Sequence, residues 1–167
     1  ENLFFAPSLS ATHEEIDAKE SSSDAIKKMT GTFTNVDFTY CITSDKRNQV
    51  FQATDGYVAK FTQSLPLYVD SSSVMNGLEL AKYYGFSEDV VGVTRFYARS
   101  MHGVDEDVRL SNRLRLPSNR LRGFKSNKVG PKDGTDYVGG NYAAALGIEA
   151  QLPNLLPEST KTDISVF

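Results

Sequence analysis

The chain contains one cysteine, no tryptophan and only two histidines among its 167 residues. A single Cys41 excludes an internal disulfide framework and provides none of the paired spacings that metal sites use. His13 and His102 stand far apart in the chain, and neither is spaced to activate Cys41 as a nucleophile. The sequence therefore predicts no metal site, and it indicates Cys41 as an ordinary small residue.

Long hydrophobic runs are absent as well. No stretch of 18 apolar residues occurs, which excludes a transmembrane helix. The mean hydropathy of −0.35 is typical of soluble proteins. Transmembrane β-barrels have similar values, because their lipid-facing residues alternate with polar residues that face the lumen.

Positive charge is scarce overall and concentrated in one place. The net charge is −3, which argues against a general nucleic-acid binder, so no nucleic-acid partner is expected. Nevertheless, many of the 18 Lys and Arg residues fall in one short stretch. They are Arg109, Arg113, Arg115, Arg120, Arg122, Lys125, Lys128 and Lys132. The sequence predicts that this stretch belongs to a long basic loop, residues 105–137.

Most of the remaining chain consists of segments in which apolar and polar residues alternate. In one of them Val36, Phe38 and Tyr40 share a parity, while Asp37 and Thr39 take the other. Such alternation predicts β-strands with one apolar face. The segments cover residues 3–12, 32–43, 57–69, 74–86, 90–101 and 138–152, and a last strand begins near 161. The predicted fold class is therefore all-β.

The connections between these segments differ in length. They are short at 44–56, 87–89 and 153–160, and long and polar at 13–31 and 105–137. Short turns on one side and longer loops on the other are typical of an outer-membrane barrel. A soluble β-sandwich that binds an anionic ligand stays open as an alternative. Because both ends of the chain resemble interrupted strands, residues 1–167 are predicted to form a single partial barrel domain.

Three short motifs in and after the basic loop suggest a family. Leu121-Arg-Gly-Phe124 is followed by Gly130-Pro-Lys-Asp133, and Val138-Gly-Gly-Asn141 opens the next strand. In this order they resemble the outer-membrane barrel-assembly family, the BamA-like proteins of Gram-negative bacteria, whose hallmark tetrapeptide has Val in place of Leu121. Ala53-Thr-Asp-Gly56 in a short turn resembles another family feature. The resemblance implies about seven strands of a sixteen-stranded antiparallel transmembrane barrel in the bacterial outer membrane.

The resemblance also implies roles for particular residues. Arg122 is expected to fold into the lumen and pair with Glu149, which lies on the polar parity of the following strand. Phe124 is expected to pack against the inner wall, and Asn141 to bond the loop backbone. The other seven cations are expected to form loop surface. The predicted bracing residues are Leu121, Arg122, Gly123, Phe124, Gly130, Pro131 and Asp133 in the loop, with Gly139, Gly140, Asn141 and Glu149 on the wall.

The function implied by the resemblance is non-enzymatic and uses no cofactor. A protein of this family inserts outer-membrane β-barrel proteins into the membrane. Its expected partners are unfolded β-barrel clients, accessory assembly lipoproteins, upstream POTRA modules of the same protein and outer-membrane lipids. A two-partner secretion translocator or a TamA-like translocator on the same scaffold is the alternative.

Overall fold

A computed structural model describes residues 2–17, 27, 30–69, 72–104, 107–156 and 164–167. The described residues form nine strands, and none of them belongs to a helix long and apolar enough to cross a membrane. The strands are β1 (Leu3–Ile16), β2 (Gly31–Asp45), β3 (Gly56–Val69), β4 (Ser73–Gly85), β5 (Val91–Gly103), β6 (Lys132–Asp133), β7 (Asp136–Tyr137), β8 (Tyr142–Leu152) and β9 (Ile164–Val166).

Seven of these strands form one antiparallel sheet in the order β1-β2-β3-β4-β5-β8-β9. The short strands β6 and β7 pair only with each other. This arrangement confirms the prediction of an all-β, partial antiparallel barrel with a long basic loop. The described strands do not divide into two packed sheets, so the sandwich alternative is wrong. Parts of the predicted connections, at 18–26, 105–106 and 157–163, lie outside the described residues.

The two faces of the sheet differ sharply along β8. Tyr142, Leu146 and Ile148 are 71%, 63% and 69% exposed, whereas Ala145 and Glu149 on the opposite parity are 9% and 7% exposed. Strand side chains alternate between faces, so one face of β8 is apolar and bare and the other is covered. We call the covered face, which carries Tyr97, Ala143, Ala145 and Glu149, the lumen face.

The bare face continues across the neighbouring strands. In the register of the sheet Phe5 lies opposite Ile42, Ile42 opposite Phe61, and Phe61 opposite Leu78. Phe5 is 63% exposed, and Ile42 and Leu78 are 36% and 37% exposed. A contiguous exposed apolar band on one side of a sheet is the pattern of a lipid-facing barrel surface.

The turn between β2 and β3 folds back over the wall. Ala53 is 4% exposed and packs in a cluster with Tyr83, Val91 and Val93. Gly56 has φ +96°, and a Cβ there would overlap the Lys46 carbonyl. Only glycine fits this approach without strain, which gives a physical reason for the glycine in Ala53-Thr-Asp-Gly56.

The same turn is tied to the end of β2 by an ion pair. Arg47 Nη2 lies 2.6 Å from Asp45 Oδ2, and Arg47 Nε donates to Asp45 Oδ1 at 2.9 Å. These hydrogen bonds raise the pKa of the Arg47 guanidinium. The turn is thus fixed by its own side chains as well as by its backbone.

The loop between β5 and β8, residues 104–141, lies over the lumen face, and we call it the outer loop. Its first part buries Val108 and Leu110, which are 1% and 7% exposed. Leu114 and Leu116 then pack against a cluster formed by Tyr97, Ala143 and Ala145. The basic loop is therefore held against the wall by apolar contacts, which its concentration of positive charge did not predict.

The start of β8 differs from the sequence prediction. The strand was predicted to span residues 138–152, but β8 begins at Tyr142. The backbone before Tyr142 is hydrogen-bonded within the outer loop instead. Leu114 and Gly140 exchange two backbone hydrogen bonds of 2.8 and 3.0 Å. Gly139 has φ +73°, and a Cβ there would lie 2.8 Å from the Leu114 carbonyl oxygen. Bonding between Leu114 and Gly140 within the loop thus prevents β8 from extending to Val138.

Candidate functional site

Glu149 is the buried charged side chain among the described residues. It lies on the lumen face of β8, next to β5. Arg95 on β5 donates to Glu149 Oε1 through Nη2 at 2.8 Å and through Nε at 3.2 Å. Gln151 Nε2 donates to the same oxygen at 3.1 Å. Three donors therefore compensate the burial of one carboxylate oxygen.

The second oxygen of Glu149 is occupied by the outer loop. Arg122 Nη1 lies 3.1 Å from Glu149 Oε2, and the Arg122 guanidinium lies 4.7 Å from the centroid of the Phe167 ring. Loop and wall arginines thus share one carboxylate, with one oxygen for each. An Arg–carboxylate contact in a shielded site is stronger than one in water, because the surrounding medium screens it less.

The backbone of the loop tip, residues 117–124, brings Arg122 to the wall. Arg120 N and Leu121 N both donate to the Pro117 carbonyl, at 3.0 and 3.3 Å. Gly123 follows with φ +84°. Proline fixes the start of this turn, and glycine supplies the positive φ that turns the chain away from the wall after Arg122.

A second ion-pair cluster lies on the same face. Arg120 Nη2 lies 2.7 Å from Glu79 Oε2 on β4, and Arg99 Nη2 on β5 lies 3.7 Å from Glu79 Oε1. The guanidinium groups of Arg120 and Arg99 lie 5.0 and 5.4 Å from the centroid of the Tyr97 ring. The prediction that Arg120 is loop surface is therefore wrong.

Other cations expected at the loop surface also contact the protein, among them Arg109 and Arg113. The Arg109 guanidinium lies 3.6 Å from the centroid of the Phe33 ring on β2. Arg113 Nε donates to the Val108 carbonyl at 3.3 Å. The charge count alone did not separate these residues from the exposed Lys125, because it does not show which cation has a partner, and Phe33, the partner of Arg109, is distant in sequence.

Several predicted site residues lie elsewhere than expected. Phe124 is 58% exposed, so its side chain is not buried against the wall as expected. Gly139 makes room for the Leu114 backbone rather than for Phe124, and a Cβ at Gly140 would meet nothing closer than ordinary van der Waals contact. Asn141 uses its backbone carbonyl to accept from Met101 N of β5 at 2.8 Å, a contact with the wall rather than with the loop.

The second loop motif forms a small hairpin outside the ion-pair clusters. Gly130 has φ +126°, and the Pro131 carbonyl accepts from Val138 N at 3.1 Å. Asp133 lies in β6 and is opposite Asp136 of β7. This motif shapes the return of the loop toward β8, while Arg122 makes the contact with Glu149.

The chemistry of the site is electrostatic. Among the described residues, no group of three or more His, Cys, Asp or Glu side chains is arranged to hold a metal ion. A cavity of about 380 Å³ lies beside these contacts, between the loop tip and the wall, and its lining includes Arg95, Tyr97, Arg122 and Glu149. The arrangement can fix a loop against a sheet.

A single antiparallel sheet with a bare apolar face and a loop docked on the opposite face defines a segment of transmembrane β-barrel wall. The chain matches the Omp85 superfamily domain over residues 5–167. It therefore belongs to the Omp85 superfamily, which confirms the resemblance drawn from the loop motifs. The family comprises outer-membrane assembly and translocation proteins.

A solved structure shows the same fold. The crystal structure of BamA from Haemophilus ducreyi lacking POTRA domains 1–3 is similar with a TM-score of 0.79 at 16% sequence identity. The match covers 98% of this chain and 38% of that chain. No curated protein matches the sequence. The present chain thus corresponds to part of a BamA-like barrel.

Proposed function

We propose that this chain is part of the barrel of an outer-membrane protein insertase. Membership of the Omp85 superfamily and the barrel fold support this proposal. In such a protein a weakly paired seam between barrel strands exposes N–H and C=O groups, which can template the strands of a client. The described strands contribute a wall of the barrel and the loop that occupies its lumen.

The observation that carries the proposal is the contact of 3.1 Å between Arg122 and Glu149. Glu149 also holds Arg95 of β5, so one carboxylate links the loop tip to two neighbouring strands. A wall braced in this way keeps its register while a seam elsewhere in the barrel opens. The proposed role of Leu121-Arg-Gly-Phe124 is therefore to stiffen the barrel from within.

The proposed partners follow from this role. Unfolded outer-membrane β-barrel proteins are the clients, upstream POTRA modules of the same protein receive them, and accessory lipoproteins assist. Outer-membrane lipids contact the exposed apolar band that includes Phe5, Ile42 and Leu78. Strand pairing and membrane insertion involve no covalent step, so the proposed activity needs no cofactor.

The test uses the full-length protein in liposomes, with an eight-stranded outer-membrane protein as client. Folding of the client is followed by its heat-modifiable mobility on gels. We expect the protein to accelerate client folding, and Arg122→Ala to lower that acceleration. Lys125→Ala, which removes an exposed cation from the same loop, serves as the matched control and is expected to leave it unchanged.

Two outcomes would contradict the proposal. One is client folding at the rate of empty liposomes. The other is passage of an unfolded polypeptide into the liposome interior without membrane insertion, which would instead support the translocator alternative.

A further inference from the structure

The two ion-pair clusters on the lumen face have the same construction. Glu149 on β8 gives one oxygen to Arg95 of β5 and the other to Arg122 of the loop tip. Glu79 on β4 gives one oxygen to Arg99 of β5 and the other to Arg120 of the loop tip. Each carboxylate therefore joins one wall arginine to one loop arginine.

The two clusters lie on opposite sides of β5. The sheet order places β4 on one side of β5 and β8 on the other. Neighbouring strands are about 4.8 Å apart, so the two carboxylates belong to strands about 10 Å apart across the sheet. The arginines that reach them from the loop tip are separated by one residue, Leu121.

Tyr97 lies between the two clusters and gives Arg120 a second contact. Tyr97 is 6% exposed and is opposite Ala145 in the register of β5 and β8. Guanidinium groups near an aromatic face are attracted to it, and the attraction grows as water is excluded. Arg120 is therefore held by a carboxylate and by a ring, and its side chain is 33% exposed.

We propose that Arg120 is a second positioning residue, which anchors the loop tip to Glu79 of β4. A tip held only by Arg122 and Glu149 can pivot about that contact. A second attachment on the other side of β5 fixes the orientation of the tip as well as its place. Once one anchor is made, the other forms within the same molecule at high effective concentration. This inference rests on the proposed bracing function of the loop.

The position of the tip can be measured by thiol labelling in the full-length protein. Cys41→Ser removes the native cysteine of this chain, and Ala145→Cys places a reporter on the wall beneath the loop. Ala145 is 9% exposed, so a water-soluble maleimide labels it only when the tip has moved away. The labelling rate then reports the fraction of molecules in which the loop is displaced.

The variants are Arg120→Gln, Glu79→Gln and their combination. We expect each single change to raise the labelling rate about five- to thirty-fold, which is less than for a buried charge-assisted hydrogen bond because solvent screens this partly exposed site. The combined variant is expected to exceed either single variant by less than the product of their effects, because both remove the same contact. Lys125→Gln is the matched control, with an expected change of less than about twofold.

Arg120→Lys separates positioning from simple charge. Lysine keeps the charge but lacks the planar group that stacks on Tyr97, so an intermediate labelling rate is expected. Heat-modifiable mobility shows whether each variant has folded. If Arg120→Gln does not fold, the cycle is made with Arg120→Lys and Glu79→Gln, and the same incomplete additivity is expected.

The proposal would be overturned if Arg120→Gln were labelled at the same rate as Lys125→Gln. It would also be overturned if the increase in labelling rate in the combined variant equalled the product of the increases in the two single variants. The labelling needs no client, so its outcome is independent of the insertase assay. If Arg120→Gln leaves the labelling rate unchanged while the parent protein still folds its client, only this inference is refuted. The expected labelling pattern without client folding refutes only the proposed function.

Discussion

Replacement of Glu149 by glutamine is the most direct perturbation of the proposed brace. Glutamine keeps the shape of the side chain but removes the charge that Arg95 and Arg122 share. Breaking a buried ion pair by removing one partner costs about 3–5 kcal/mol. The Arg95 and Arg122 side chains are 43% and 42% exposed, and solvent therefore reduces the penalty for leaving them unpaired. Reducing the cost for a buried pair by this exposure leaves about 2–3 kcal/mol for the contact of the loop with the wall.

This free energy corresponds to a change of about 30- to 150-fold in the equilibrium between docked and displaced loop. The assay is maleimide labelling of Ala145→Cys in the Cys41→Ser background of the full-length protein. Glu149→Gln is expected to label about 30- to 150-fold faster than the parent. Glu88→Gln makes the same chemical change at an exposed position in the turn between β4 and β5, and is expected to have no effect.

A double-mutant cycle identifies the partner of Glu149 in the loop. Arg122→Ala combined with Glu149→Gln is expected to cost less than the sum of the two single changes. Full additivity would remove Arg122 as that partner. An unchanged labelling rate in Glu149→Gln would refute the idea that this carboxylate holds the loop at all.

Two further predictions concern the loop backbone and the lipid-facing surface. Gly139→Ala places a Cβ at a position with positive φ, where it would clash with the Leu114 carbonyl. We expect it to lower the free energy of unfolding of the barrel by about 1–3 kcal/mol in denaturant titrations. Gly140→Ala, where a Cβ meets only ordinary contacts, is the control and is expected to be nearly neutral. Leu146→Arg in the middle of β8 is expected to reduce the stability of the barrel in bilayers by about 2–4 kcal/mol. Ser100→Arg, near the outer end of β5, is expected to cost about 0–1 kcal/mol, and equal costs at both positions would contradict the assigned depth.

Local patterns in the sequence were sufficient for most of the strands. Alternation along residues 32–43 and 57–69 matches β2 and β3 to within two residues at each end. The same alternation placed Glu149 on the opposite face from Leu146, as the burial of these side chains shows. Side-chain parity is a property of the extended backbone, and for this reason it can be read without knowing which strands pair.

The start of β8 and the partners of the loop cations required tertiary information. The sequence of residues 138–141 was predicted to open a strand, but hydrogen bonds between Leu114 and Gly140 hold that backbone in the loop. These two residues are far apart in the sequence, and nothing in either local pattern marks them as partners. The exposed position of Phe124 was missed in the same way, because the motif suggested an anchor without showing where its contact would be.

The sequence by itself determined the all-β class, the two faces of the strands and the motif that indicates the family, since each depends on the type and local spacing of residues. Only the tertiary structure decided that Arg120 meets Glu79 and that Arg95 shares Glu149 with Arg122. Glu79 and Arg120 lie on different elements, and the antiparallel register of β4 and β5, together with the path of the loop, brings their side chains to 2.7 Å. Ion pairs between distant elements depend on that register, and no local pattern encodes it.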